Sequence, residues 1–125
     1  GNRVEVVRGP VAELGAGPGL PRLAVADLSH NLIRELAPEV GLLAGLCSLS
    51  LDHNRLAAFP APLSRLTRLQ QLGLAHNAIP VVPPQIGALS GLRQLRLNNN
   101  VIASLPLEIG RLSQLEVLRL EGNSG

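Results

Sequence analysis

Apolar and polar residues recur along this chain in units of 23 residues. If the leucine that opens each unit is position 1, positions 4 and 6 are apolar and an asparagine stands at position 9. The asparagines are Asn31, Asn54, Asn77, Asn100 and Asn123. Apolar residues two positions apart indicate a short strand that turns one side toward a core. The pattern therefore predicts a similar strand in each unit, followed by a turn that contains the asparagine.

The second half of each unit has an apolar pattern of its own. Positions 11 and 14 are apolar in four units, at Ile33 and Leu36, Leu56 and Phe59, Ile79 and Val82, and Ile102 and Leu105. Apolar residues then recur three positions apart, at Val40 and Leu43, Leu63 and Leu66, Ile86 and Leu89, and Ile109 and Leu112. Proline lies just before these pairs, and this spacing predicts a short helical or 3-10 segment packed on the strand layer.

The repeats divide the chain into two parts. Residues 1–22 form a degenerate unit, in which Val4 and Val6 occupy strand positions and the glycine-rich segment 15–19 replaces the return half. We interpret this unit as an N-terminal cap. Residues 23–125 contain five repeats, the last of them truncated, and make a single domain with the cap. We expect the natural protein to continue beyond this sequence.

The repeated stretch L-x-x-L-x-L-x-x-N-x-L resembles the leucine-rich-repeat family. This resemblance implies an α/β solenoid, with a curved parallel sheet on the concave face and short helical or 3-10 segments on the convex face. The segment LPLEIGRL (105–112) also resembles the intracellular 23-residue class, which includes Ras-suppressor-like scaffolds. That class implies a non-catalytic module that binds a partner protein on its concave face.

A narrower resemblance covers the last third of the chain, LRQLRLNNNVIASLPLEIGRLSQLEVLRLEGN. It is similar to the end of the repeat domain in the carbon-catabolite-repressor type of mRNA deadenylase. The similarity implies, as an alternative function, that the domain docks a second nuclease subunit of the deadenylase. The family's own nuclease domain is absent from this sequence, so no catalytic residue carries over. Ser124 stands where that family usually has proline.

The repeated asparagine is a structural candidate, because its amide both donates and accepts hydrogen bonds. Stacked repeats bring these amides into a ladder, in which each one satisfies buried backbone groups of the neighbouring turns. Asn31, Asn54, Asn77, Asn100 and Asn123 are therefore expected to hold successive repeats together.

The outward-facing strand residues are the candidate partner-binding surface, because such solenoids bind on their concave sheet. They are Asp27, Ser48, Ser50, Gln71, Gly73, Arg93, Gln94, Arg96 and Arg119. The surface is acidic at its N-terminal end, small and neutral in the middle, and rich in arginine at its C-terminal end. The arginines suit bidentate binding of a partner's carboxylates, and the small residues suit close approach. The alternative is that these are merely solvated strand positions.

Composition narrows the other possibilities. The net charge is only +2 and Phe59 is the only aromatic residue, so the chain lacks the basic field and the stacking platforms of nucleic-acid binding. No apolar run is long enough to span a membrane. Cys47 is the only cysteine, which excludes an intrachain disulfide and favours a reducing, intracellular location, with the cytoplasm as our prediction. We also predict a monomer with no cofactor and, since no phosphate loop or catalytic constellation appears, no enzymatic activity.

The three histidines occupy position 8 of successive repeats. Because neighbouring strands lie about 4.8 Å apart, His30, His53 and His76 are expected to form a stacked row. Such a row can bind a metal ion or respond to pH. The next repeats place Asn99 and Gly122 at this position, so a fourth ligand is missing. We therefore predict a structural role in the turn and no metal site.

Overall fold

Short strands alternate with 3-10 helices along the chain. The structure, a computed structural model, describes residues 6–7 and 24–123. Within them the strands are β1 (Val6–Val7), β2 (Val25–Asp27), β3 (Glu35–Leu36), β4 (Ser48–Ser50), β5 (Gln71–Gly73), β6 (Gln94–Arg96) and β7 (Val117–Arg119). The 3-10 helices are Pro38–Leu42, Ala61–Arg65, Pro84–Ala88 and Leu107–Arg111. This arrangement confirms the predicted solenoid.

Five of the strands form one parallel sheet in the order β2-β4-β5-β6-β7. Each residue pairs with the residue 23 positions later, as Leu49 does with Leu72 and Leu72 with Leu95. The register of the sheet is therefore the period of the sequence. As a result, each repeat position becomes a column of side chains that runs across the strands.

The hydrophobic core lies between this sheet and the 3-10 helices. The position 6 residues Leu51, Leu74 and Leu97 are fully buried, as are the leucines that open repeats 2, 3 and 4. Leu63 and Ile86 bury the apolar side of their 3-10 helices against the same core. The sequence did not distinguish an α-helix from a 3-10 helix in these segments, because apolar residues three positions apart fit both. In the structure the Leu66 N–H donates to the Leu63 carbonyl at 3.0 Å, which is the 3-10 pattern.

The asparagine amides join adjacent turns. Asn77 Oδ1 accepts a hydrogen bond from the Leu56 N–H at 3.0 Å, and Asn77 Nδ2 donates to the carbonyls of Leu51 and Leu74 at 3.0 and 3.1 Å. Two of these three partners belong to the preceding repeat. Asn54, Asn100 and Asn123 make the same three contacts one repeat earlier or later. Each amide thus satisfies backbone groups that the turn would otherwise leave unpaired.

The N-terminal strand takes a different place from the one that the repeat predicts. β1 pairs in parallel with β3, with Val6 opposite Glu35 and Val7 opposite Leu36, in a separate two-stranded sheet. The described part of β1 therefore lies beside the return half of repeat 1 and does not extend the five-stranded sheet. The rest of the proposed cap lies outside the described residues, so the boundary at residue 22 stays a prediction. Among the described residues, no helix is long and apolar enough to cross a membrane.

Candidate functional site

The candidate site is the outward side of the five-stranded sheet, which we call the concave face. Two columns of side chains cover it. Position 3 contributes Val25, Ser48, Gln71, Gln94 and Val117, and position 5 contributes Asp27, Ser50, Gly73, Arg96 and Arg119. The exposed ends of the position 3 column are valines, whereas its middle is polar. The residues predicted from positions 3 and 5 of the strands thus lie on one continuous surface.

An ion pair crosses the middle of this face. Arg96 in repeat 4 reaches back to Asp52 in repeat 2, where its Nη2 and Nε lie 2.8 and 3.1 Å from Asp52 Oδ2. The two side chains are 37% and 17% exposed, so water screens the pair only in part. The other oxygen, Asp52 Oδ1, accepts a hydrogen bond at 2.8 Å from the backbone N–H of Ala75 in repeat 3. Asp52 therefore ties three successive repeats together.

Gly73 makes this crossing possible. It occupies position 5 of the strand between Asp52 and Arg96. A Cβ atom at Gly73 would lie 2.7 and 2.9 Å from the two Asp52 oxygens and closer still to Arg96 Nη2. From the sequence, Gly73 was expected to let a partner approach the sheet closely. Instead Gly73 is buried beneath the guanidinium of Arg96, which occupies the space that the missing side chain provides.

The structure changes the expected role of the arginines as well. Arg96 is held within the chain by Asp52, so its Nε and Nη2 are already engaged. Arg119 lies directly opposite Arg96 in the register of β6 and β7 and makes only a loose, exposed contact of 3.5 Å with Glu121. Arg93 precedes β6, is exposed, and has no ion pair among the described residues. Arg119 and Arg93 are therefore the more accessible cations.

The ion pair between Asp52 and Arg96 should contribute measurably to stability. In a double-mutant cycle with Asp52→Ala and Arg96→Ala, we expect a coupling free energy of about 1 kcal/mol from urea unfolding. The cycle cancels the separate cost of leaving the Ala75 N–H without its acceptor. The exposed pair Arg119 and Glu121, both 59% exposed, is the matched control and should couple by no more than about 0.3 kcal/mol. Equal coupling in the two cycles would contradict the proposed tie between repeats.

The acidic end of the face is formed by Asp27. The hydroxyl and the backbone N–H of Ser29 both donate to Asp27 Oδ1. These two hydrogen bonds, in this order, are the main causes that lower the pKa of Asp27 below its ordinary value. The carboxylate is therefore charged at neutral pH. Between the two charged ends, the Ser48 hydroxyl donates to Gln71 Oε1 at 3.2 Å, so part of the neutral middle is already hydrogen-bonded.

The histidines line the rim at which the strands end. His30, His53 and His76 have positive φ angles of 57°, 58° and 56°, and Asn99 continues the series at 58° and Gly122 at 79°. Histidine, asparagine and glycine tolerate this left-handed conformation better than most residues. The need for a left-handed residue explains why these residue types share position 8. The conformation was not anticipated from the sequence, although the residue types do indicate it.

The imidazoles form the predicted stack. The ring centroids of His30 and His53 are 4.4 Å apart with an interplanar angle of 9°, and those of His53 and His76 are 4.1 Å apart at 10°. In parallel rings the nitrogen lone pairs lie in parallel planes and do not converge on one point, as a tetrahedral metal site requires. No group of three metal-ligating side chains suited to a metal ion occurs in the part of the chain that the structure describes. Cys47 is half-buried, with its sulfur 3.5 Å from the Gly45 carbonyl oxygen.

The structure also has a groove beside the first two 3-10 helices, which was not predicted from the sequence. It has a volume of about 440 Å³, and its lining includes Phe59, Pro38 and Pro60, with Arg34 and Arg65 beside them. The only indication in the sequence was the single aromatic residue at a position that is aliphatic in the other repeats. The groove is mainly apolar and separate from the charged columns of the concave face.

Comparison with known proteins agrees with this architecture. The family model described as leucine rich repeat matches residues 21–79 and 67–124. A leucine-rich-repeat protein of Leptospira interrogans has a similar structure, with 35% identity, a TM-score of 0.83 and coverage of 95% of this chain. An internalin of Listeria monocytogenes is similar over 81% of this chain, with 27% identity and a TM-score of 0.69. This chain spans only 29% and 28% of the lengths of those two proteins. No curated protein matches it.

Proposed function

The chain belongs to the leucine-rich-repeat family, and we propose that it is a non-catalytic module that binds a partner protein on its concave face. The observation that carries this proposal is the charged, continuous surface of positions 3 and 5, which the strand register holds in fixed columns. A preformed surface loses little conformational entropy when a partner docks.

Fixed side chains support the same proposal. Arg96 lies in one place because Asp52 holds it, and Asp52 in turn is held by the Ala75 N–H. Neither group has to be ordered when a partner arrives, so the middle of the surface is rigid before binding. Arg119 and Arg93 would then supply the contacts that the partner's carboxylates make.

Charge polarity supports a defined orientation of the partner. Asp27 lies at one end of the position 5 column and Arg119 at the other. A partner with the opposite polarity would be steered into one orientation, and the reversed orientation would bring like charges together. We propose a partner whose acidic end contacts the arginines.

A bulky residue on the concave face tests the proposal. Ser48 is half-exposed in the middle of the sheet, and Ala61 is exposed at the start of a 3-10 helix on the other side. We expect Ser48→Trp to reduce recovery of the partner in affinity capture by about tenfold or more, because the indole blocks close approach. Ala61→Trp adds the same side chain and should leave recovery unchanged. If Ala61→Trp reduced recovery and Ser48→Trp did not, the binding site would lie on the convex side.

The deadenylase resemblance supports a second proposal, namely that the partner is a nuclease subunit of an mRNA deadenylase. Its basis is the match of residues 92–123, which includes the asparagines at 98–100. Binding of the purified subunit to the wild type and to Ser48→Trp separates the two proposals. If the subunit does not bind, the deadenylase proposal fails, whereas concave-face binding of another protein survives.

Location and assembly are further parts of the proposal. We propose an intracellular, cytoplasmic module, because Cys47 is the only cysteine in this sequence and a disulfide within it is therefore excluded. We also propose that it acts as a monomer and contacts neither nucleic acid nor membrane directly. The small net charge of +2 and the scarcity of aromatic residues support this part.

A further inference from the structure

Three exposed imidazoles form one stack beside the concave face, and neither the core nor the proposed binding contacts require them. We call His30, His53 and His76 the histidine column. Their centroids are 4.4 and 4.1 Å apart, so His53 lies between two nearly parallel rings. The backbone conformation at position 8 demands only a residue that tolerates positive φ, which Asn99 and Gly122 also satisfy. The stacked rings are therefore a feature beyond the needs of the turn.

The geometry of the column suits the neutral form of the rings. Asn99 Nδ2 lies 3.2 Å from His76 Nε2. The amide of Asn99 and the ring of His76 thus share a hydrogen bond, whose donor and acceptor depend on the tautomer of the ring. Two neighbouring imidazolium rings at about 4 Å would repel each other by about 1 kcal/mol even in bulk water. Protonation of neighbouring rings therefore opposes the stack.

Groups near the histidine column both raise and lower the pKa of His53. Partial shielding from water lowers the pKa of His53 most, followed by the charges on His76 and then His30, whereas the Asp52 carboxylate raises it. Asp27 lies close enough to His30 for their charges to interact. Arg96 engages Asp52 directly, which reduces the support that Asp52 lends to a positive charge on His53. The net result is a pKa of His53 below its ordinary value.

We propose that the histidine column is an acid-sensitive switch on the rim of the concave face. The stacked rings hold the position 8 residues of three repeats in one line. When the pH falls, protonation of neighbouring rings separates them. The new positive charges then lie near Asp27 and Asp52, and they offset the negative charge of these two carboxylates on the concave face. This last consequence rests on the proposed function, whereas the opening of the stack does not.

The sign of the effect on stability follows from His53. The unfolded chain binds a proton at the ordinary value near 6.5, whereas the folded chain binds it only at lower pH. The unfolded state thus holds more protons in the interval between the two values. The contribution of neutral His53 to the free energy of unfolding is therefore fully present above the unfolded pKa. It is lost as the pH falls through the unfolded pKa toward the folded value.

Histidine titration by NMR tests the switch without a partner. The variant His30→Asn/His76→Asn removes both neighbours of His53 and keeps residues that tolerate positive φ, as Asn99 shows. We expect the titration midpoint of His53 to move upward in this variant, toward 6.5, and the contacts between rings in the wild type to disappear on acidification. An identical midpoint in both proteins, or rings that stay in contact when protonated, would overturn the proposal.

A second measurement separates the switch from general acid sensitivity. Urea unfolding at about pH 7.5 and about pH 5.5 brackets the ordinary range of histidine. We expect the unfolding midpoint of the wild type to fall more across this interval than that of His53→Asn, which interrupts the column at its centre. Equal falls would contradict the switch. Because no partner is present, failure here leaves the concave-face proposal standing, and failure of partner binding leaves the switch standing.

Discussion

Replacement of Asn77 with alanine is expected to lower the free energy of unfolding by about 1–3 kcal/mol. The change removes the acceptor for the Leu56 N–H and the donor for the Leu51 and Leu74 carbonyls. Leu51, Leu56 and Leu74 are fully buried residues of the core, so water cannot easily replace the amide. Urea or thermal unfolding, monitored by circular dichroism, measures the effect.

Gln70→Ala is the matched control for this prediction. Gln70 is an exposed amide in the same repeat, and its side chain makes no hydrogen bond within the described residues. Its replacement should change the free energy of unfolding by no more than about 0.5 kcal/mol. If Asn77→Ala and Gln70→Ala lowered the free energy of unfolding by the same small amount, the asparagine ladder would contribute no more stability than an ordinary surface amide.

Reversal of the accessible arginines is expected to reduce partner affinity by at least about tenfold. The variant is Arg93→Glu/Arg119→Glu, which replaces two exposed cations with carboxylates. An acidic partner end would then meet like charges, whose repulsion adds to the loss of the attractive contacts. Isothermal titration of the captured partner against the wild type and the variant measures the loss.

The design leaves Arg96 in place, because its pairing with Asp52 would confuse a loss of binding with a loss of stability. The control variant Arg55→Glu/Arg68→Glu changes the net charge equally, at exposed positions in repeat 2, two repeats before the arginine end of the face. It should retain nearly the affinity of the wild type. If both variants bind equally weakly, overall charge decides the interaction and no site on the concave face is needed.

The sequence predicted the fold in detail because its period is also the sheet register. Once position 4 pairs with position 4 of the next repeat, as Leu72 pairs with Leu95, the core follows from the leucine pattern alone. The stacked histidines were predictable for the same reason. The 3-10 geometry was left open, because an apolar spacing of three residues does not separate it from a short α-helix.

The parts that escaped prediction depend on side chains from different positions of the repeat. Asp52 stands at position 7 and Arg96 at position 5 two repeats later, a separation of 44 residues that no periodic pattern connects. Only the long reach of arginine and the empty space above Gly73 bring them together. The place of β1 beside β3 was likewise hidden, because Val6 and Val7 fit any apolar strand position.

Photo-crosslinking tests the central claim, that the partner lies on the concave face, most directly. A photoreactive amino acid is placed at Gln71, which is exposed in the middle of the five-stranded sheet, or at Ala61, which is exposed on a 3-10 helix. We predict that irradiation of the complex joins the partner to the Gln71 position and leaves the Ala61 position unreacted. Crosslinks from Ala61 with none from Gln71 would contradict the account and place the binding surface on the convex side.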